Sequence, residues 1–529
     1  MHTLTTDPTT GPSWRKQPVV WLAWCALCCA LLSGCTTTPP APRPPAQLAL
    51  APQAGSSFEG AEAVWRAQGP TASAFRLLEH NEDALLWRLA LIDNASHSLD
   101  MQYYVWFSDQ VGQLLMTRVL AAADRGVRVR LLFDDLNTML QDMTHLEQRD
   151  AKLARIDRHP NVEIRVFNAW QQRGWAGRAW ETLARFERLN RRMHNKQMVA
   201  DNRVTIMGGR NIGDEYFGLH DEFNFHDLDV LGVGPVARQA SAVFDRYWNS
   251  AWVQALPAAA TDTTTPPSAR AERARAALRS EPRWNALLNG ARSWQPELKA
   301  LAQDLLPGRS AVHTDSPALA AGEHNHTPEA FRALLLSARN EVLITNAYII
   351  PDQGFVDDLA ALVKRGVRIR VLTNSLASHD VPAVNSHYEQ WRLPLLRAGI
   401  ELHELKPHPV MQRTQVDTAP VKSGFVGLHT KAMVIDRERS FVGSMNLDPR
   451  SEVLNSEMGV VIDSGGLARQ LANRMERDMA QDNSWRLLAG PDGAVQWHDG
   501  GPPLHRQPAR NSWQRVENLF FKLFPPQLY

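Results

Sequence analysis

The chain has 529 residues, 44% of them apolar and 21% charged, the balance of a globular protein with a sizeable core. Length alone suggests roughly two to four domains. A formal net charge of +1 excludes a fold-wide basic field for gripping nucleic acid, though not a locally basic cleft. All four cysteines, Cys25, Cys28, Cys29 and Cys35, lie near the N-terminus, so neither a disulfide framework nor a cysteine metal site is expected in the body.

The first predicted element is a targeting segment. Arg15 and Lys16 precede an apolar run, Val19–Leu32, which is shorter than the roughly 20 residues a membrane span needs. Small residues then lead into a cysteine, in Leu32-Ser33-Gly34-Cys35. Residues 1–35 resemble a bacterial lipoprotein signal peptide with its lipobox, which implies lipidation of Cys35. An uncleaved anchor helix is the competing reading. Thr36, not an aspartate, follows the cysteine. By resemblance to Gram-negative lipoproteins this favours the periplasmic side of the cell envelope, at the outer membrane. Residues 36–57, rich in Pro, Ala and Thr, read as an extended tether.

The body carries an internal repeat. Its first copy runs from the apolar stretch Ser98–Trp106 through the amphipathic stretch Gln113–Gly126 to Arg125–Leu132, where Arg alternates with aliphatic residues. The second runs from Val342–Ile350 through Phe355–Gly366 to Arg365–Leu372. Each copy reads as strand, helix, strand, the helix ending at a glycine suited to a C-cap. That unit implies an α/β fold with neighbouring parallel strands. The copies are too far apart for a solenoid and read as duplicated domains, residues 58–257 and 326–490. Between them, residues 258–325 read as a linker or lid with one helical patch around Glu297–Leu306. Residues 491–529 form an extension with a helix over Trp513–Phe524, whose Trp513, Val516, Phe520, Leu523 and Phe524 share one face. Docking of that face on the core is the default reading, and a membrane-surface helix the alternative.

Each copy also contains a second block. The first is His194-Asn-Lys196 with Asp201, followed by Gly208-Gly209-Arg210-Asn211; the second is His429-Thr-Lys431 with Asp436, followed by Gly443-Ser444-Met445-Asn446. One His-x-Lys on a strand says little, since most such histidines are surface or satisfied core residues. Two blocks with identical internal spacing, each after the same strand-helix-strand unit, point to shared chemistry. His and Lys two apart project on one strand face. Two ammonium groups, Lys196 and Lys431, with the amides of Asn211 and Asn446, suit an anionic phosphodiester. One imidazole can attack phosphorus, and a second can move the proton of the leaving or entering alcohol. No metal or other cofactor is called for.

The paired blocks resemble the HKD motifs of the phospholipase D superfamily. The likeness extends from about residue 58 to the C-terminus. Leu189–Lys196, Gly208–Phe217, Leu372–Leu376, Leu405–Pro407 and Gly443–Ser451 look like bacterial cardiolipin synthases of the C type. The resemblance implies two pseudosymmetric α/β sandwich domains packed face to face, with the active site between them and a monomer sufficient to form it. It implies phosphatidyl transfer from one phospholipid to another through a phosphohistidine, with phosphatidylglycerol and phosphatidylethanolamine as candidate substrates at a membrane surface. The nucleophile carries over to His194 and the acid/base to His429. Asp201 and Asp436 complete the catalytic motifs, and the resemblance gives them a structural part. Asp227 and Glu457 would orient the histidines, with Asp229 a competing choice, while Asp448 and Arg450 would support them. Ser444 offers a hydroxyl near the phosphate where the first copy has Gly209. A phospholipase D hydrolysing phospholipids shares every one of these residues. A nuclease and a silent lipid-binding scaffold fit less well, given the neutral charge and two complete motifs. The basic stretch Arg185–Arg192 reads either as a contact for anionic headgroups or as a solvated helix face.

Overall fold

Alternation of short apolar runs with amphipathic stretches builds the strands and helices of this α/β protein. A computed structural model describes residues 44–135, 153–170, 180–181, 184, 186–256, 282–317 and 325–524. The lipobox with Cys35, the start of the tether and much of the linker lie outside the described residues.

The first half contributes β1 (Ser73–Leu78), β2 (Ser98–Tyr103), β3 (Arg128–Asp134), β4 (Val162–Phe167), β5 (Gln197–Ala200), β6 (Val204–Gly208), β7 (Phe223–His226), β8 (Asp229–Val233) and β9 (Val253–Ala255). The second contributes β10 (Leu306–Thr314), β11 (Glu341–Asn346), β12 (Arg368–Asn374), β13 (Glu401–Leu405), β14 (Phe425–Leu428), β15 (Lys431–Ile435), β16 (Arg439–Gly443), β17 (Met458–Asp463), β18 (Ser484–Ala489) and β19 (Val495–His498). The crossover helices are α1 (Gln110–Asp124) and, in the second half, Gln353–Lys364. Both begin at an aspartate whose carboxylate caps the first turn: Asp109 accepts from the Gly112 amide and Asp352 from the Phe355 amide. Both stop before a glycine in the left-handed region, Gly126 at φ 95° and Gly366 at φ 88°.

Strand pairing repeats in the two halves. β2, β3 and β4 run parallel, as do β11, β12 and β13. The HKD hairpins β5–β6 and β15–β16 pair antiparallel beside β2 and β11. One strand joins the halves. Leu306 to Gly308 of β10 pair with β1, and Arg309 to Thr314 pair with β17, giving a 17-stranded sheet. The stretch read as linker or lid therefore holds a central strand, with a helix at Gln295–Gln303 just before it. Its Pro307 and Gly308 and its one-sided burial masked the strand in sequence.

Helices α2 (Pro235–Trp248) and α3 (Gly465–Asp478) follow β8 and β17 and share one core with the strands around them. Phe75, Phe244 and Trp248 meet Val460, Leu467 and Leu471 in that cluster, so the halves bury a common interior. The described residues, from Pro44 onward, belong to one compact unit. The second part of the tether is also fixed: Gln47 bonds Asn249 and Glu163, and the Ala49 amide donates to Asp245. Backbone amides that find side-chain acceptors on the body are no longer free to act as a loose spacer.

Candidate active site

The HKD hairpins explain the aspartates of the motif. Asp201 and Asn202, and likewise Asp436 and Arg437, sit at positive φ in two-residue turns, where Asp and Asn are tolerated. Each carboxylate then caps the strand alongside. Asp201 accepts from Ser56 Oγ and the amides of Ser96, His97 and Ser98. Asp436 accepts from the amides of Arg339, Asn340 and Glu341. Their carboxylates are committed to backbone, which corrects their place in the catalytic set.

The histidines lie just ahead of β5 and β15. Backbone bonds cross between the halves to place them: the His194 amide donates to Ser456 O and the His429 amide to His226 O, at 2.8 and 2.9 Å. β7 and β14 pair in parallel beside this crossing. The residues after Ser456 and His226 are Glu457 and Asp227, so each histidine meets the carboxylate of the opposite half. His194 Nδ1 lies 2.8 Å from Glu457 Oε2, and His429 Nδ1 lies 2.6 Å from Asp227 Oδ2. Asp229 binds Arg88 and Arg210 instead. Each lysine Nζ donates to its own histidine's carbonyl, and each stands over a tyrosine ring, Lys196 over Tyr104 and Lys431 over Tyr348.

The two carboxylates are supported differently. Glu457 Oε2 also accepts from Ser444 Oγ at 2.5 Å. Asp227 Oδ1 accepts from the Leu228 amide, and a Cβ on Gly209 would come within 2.2 Å of that oxygen. Aspartate, one methylene shorter, fills the space that Ser444 occupies beside Glu457. Ser444, read from sequence as a phosphate contact, here donates to the orienting carboxylate. Asn211 is likewise engaged, accepting from the Val105 amide and donating to the Tyr216 hydroxyl. Asn446 differs: its Oδ1 is buried without a hydrogen-bond partner.

Burial of this positive cluster sets its protonation. Desolvation, then the charges of Lys196, Lys431, His429 and Arg450, hold the His194 pKa well below the ordinary histidine value. His429 is lowered by burial and Lys431, against the pull of Asp227. Burial also presses both lysines down, Lys431 to about 8. Burial raises Glu457 to about 7. Asp227 is also buried, but His429, Lys431 and Arg210 hold it below the usual carboxylate range. Asp448 caps a short helix through the Ser451 amide, and burial raises it to about 7. Of the basic stretch, Arg188 pairs with Glu181 and the buried Arg192 with Asp134.

Three tyrosines complete the surroundings and had no assigned part in the sequence reading. Tyr104 lies edge-on to His194 and Tyr216 edge-on to His429, with centroids 5.0 and 5.3 Å apart. Tyr348 donates to Asp380 and stacks on His379. Position just past the central strands β2 and β11 was the available signal for Tyr104 and Tyr348. Among the described residues no group of three or more His, Cys, Asp or Glu is placed to hold a metal ion.

Comparison with known proteins gives the class. The family model described as "Cardiolipin synthase, PLD-like domain" matches residues 89–248 and 331–479, and the chain belongs to that family. It is 37% identical over 461 residues to cardiolipin synthase C of Escherichia coli, covering 85% of this chain and 94% of the relative. It is 26% identical over 393 residues to a cardiolipin synthase A of Pseudomonas putida, covering 74% and 65%. Among solved structures, phosphatidylserine synthase of Haemophilus influenzae Rd KW20 shares the fold, with a TM-score of 0.53 at 13% identity over 80% of this chain and 91% of that one.

Proposed function

We propose that this chain is a phosphatidyltransferase that makes cardiolipin from two phospholipids through a phosphohistidine intermediate. The crossed pairing of His194 with Glu457 and His429 with Asp227 carries the reading. A carboxylate on each Nδ1 fixes the ring and its tautomer, leaving Nε2 for the substrate.

The two pairs differ in charge, which supports distinct roles. His194 is held neutral, as a nucleophile requires, and its partner Glu457 keeps a raised pKa. Asp227 stays ionised and favours a proton on His429. An arriving phosphodiester adds the negative charge that completes this protonation. His194 Nε2 then attacks phosphorus, the bond to the headgroup oxygen breaks, and His429 gives its proton to that oxygen. In the second step His429 takes the proton of an acceptor hydroxyl, whose oxygen attacks phosphorus and releases His194. Lys196 and Lys431 neutralise the non-bridging oxygens, and Asn446 adds an amide. Phosphatidylglycerol and phosphatidylethanolamine are the substrates we assign, with Cys35 lipidated and the enzyme on the periplasmic side of the envelope.

The test mixes the full chain with phosphatidylglycerol vesicles, with and without phosphatidylethanolamine, and reads products by mass spectrometry. Cardiolipin formation is expected. Phosphatidic acid alone would make the enzyme a hydrolase and overturn the assignment.

A further inference from the structure

The C-terminal helix α4 (Ser512–Phe521) is built inside out for a soluble protein. Its polar residues face the body. Gln514 donates to Leu376 O, and Asn518 meets Asn385 and Glu389, and both side chains are buried. Its apolar residues face outward. Trp513, Val516, Leu519, Phe520, Leu523 and Phe524 follow a helical stripe opposite that polar face. Trp513 and Leu519 are 65% exposed and Leu523 is 80% exposed. The sequence reading that docked this stripe on the core is therefore reversed. A contiguous exposed patch of this kind marks an interaction surface.

Charge beside the stripe narrows the partner. Arg515 and Lys522 lie along one flank of the helix by its periodicity, Lys522 paired with Glu389 of the body. Arg515 also lines a cavity of about 460 Å³ with His505, Arg506, Glu389 and Arg392, the last paired with the buried Glu404, which leaves Arg506 and Arg515 to face an anion. Burial and the neighbouring Arg506 both lower the Arg515 pKa, and an anion bound beside the two guanidinium groups would oppose that shift. An apolar face with a basic flank is the pattern of a helix lying in the interface of an anionic bilayer.

The helix is also joined to the active-site wall. Arg510, just before it, donates to Ala377 O and His379 O. His379 stacks on Tyr348, which underlies Lys431.

We propose that α4 docks the enzyme on an anionic phospholipid bilayer, its apolar face among the upper acyl chains and one lipid phosphate in the adjoining arginine-lined cavity. This rests on the reading that the substrates are membrane phospholipids.

The test compares the full chain with a W513S/F520S/L523S variant on two substrates: phosphatidylglycerol vesicles, and a short-chain phosphatidylglycerol kept monomeric. The variant should lose roughly tenfold or more in kcat/KM on vesicles and stay within about twofold on the monomer. Arg506→Gln with Arg515→Gln should flatten the dependence of vesicle activity on anionic lipid. Amide exchange at residues 512–524 should slow on phosphatidylglycerol vesicles and not on phosphatidylcholine ones. That arm reads docking even if the wild type makes no product, a result that would defeat the functional reading alone. Equal loss on both substrates, unchanged vesicle activity, unaltered exchange, or conversion of a dimer to a monomer by the triple variant would each overturn the proposal.

Discussion

His194 takes its orienting carboxylate from the other half of the chain: Nδ1 lies 2.8 Å from Oε2 of Glu457, 263 residues further on. Asp227 does the same for His429, across 202 residues. Neither half on its own completes either of these two histidine–carboxylate pairs. Replacing Glu457 by Gln, or Asp227 by Asn, keeps the shape and removes the charge. Each change is expected to lower kcat by roughly 10²- to 10⁴-fold with near-UV circular dichroism unchanged. A loss under about threefold in either would mean that the pair does not orient the reacting ring.

The same carboxylate makes a prediction about stability. Glu457 keeps its proton up to about pH 7 in the folded state, against an ordinary value of 4.5. Between those values the folded state binds more protons than the unfolded one, so the contribution of Glu457 to stability falls as pH rises. A glutamine has no proton to lose. Glu457→Gln should therefore gain on the wild type between about pH 5 and pH 8, by up to about 3 kcal/mol. Parallel denaturation curves at the two pH values would show it. A constant difference would place the Glu457 pKa near its ordinary value.

Gly209 and Ser444 occupy matching positions with unmatched surroundings. A side chain at Gly209 collides with Asp227 at 2.2 Å, whereas Ser444 bonds Glu457. Gly209→Ser should displace Asp227 and cost roughly 10²-fold in kcat or more. Ser444→Gly removes the hydrogen bond to Glu457 and the acceptor of the Met458 amide without displacing either carboxylate, and should cost about tenfold. Steady-state kinetics on the two variants decide it, and the reverse order would contradict the packing argument.

Asp201 and Asp436 should separate stability from chemistry. Asp201→Ala strips the acceptor from Ser56, Ser96, His97 and Ser98 and should cost about 2–4 kcal/mol, with kcat of the folded enzyme within about threefold. Asp436, more open to solvent, should cost less. Thermal melts set beside kinetics test both.

The parts of this site that were legible in sequence are those fixed by local rules. The alternating runs at Ser98 and Val342, the glycines at 126 and 366, and the spacing of His194–Lys196 and His429–Lys431 each map onto a strand edge, a helix end or a motif. Long-range direction was not legible. Aligning the copies names Asp227 and Glu457, but nothing in covalent spacing says that each serves the opposite histidine. Motif proximity placed Ser444 and Asn211 near a phosphate, while their hydrogen bonds turn to Glu457, Val105 and Tyr216. An amphipathic stripe shows that a helix has two faces, not which one meets the body, and at Trp513 the default choice was reversed. The strand at Leu306–Thr314 was hidden by its proline and glycine and by being buried on one side only.

The most direct test is to trap the intermediate. The enzyme would be quenched at high pH during turnover of phosphatidylglycerol, where phosphohistidine survives, and its peptides read by mass spectrometry. A phosphatidyl adduct on the peptide carrying His194, absent in His194→Ala and absent from the His429 peptide, is the expected result. An adduct on His429, or turnover in His194→Ala at the wild-type rate, would contradict the assignment of His194 as nucleophile.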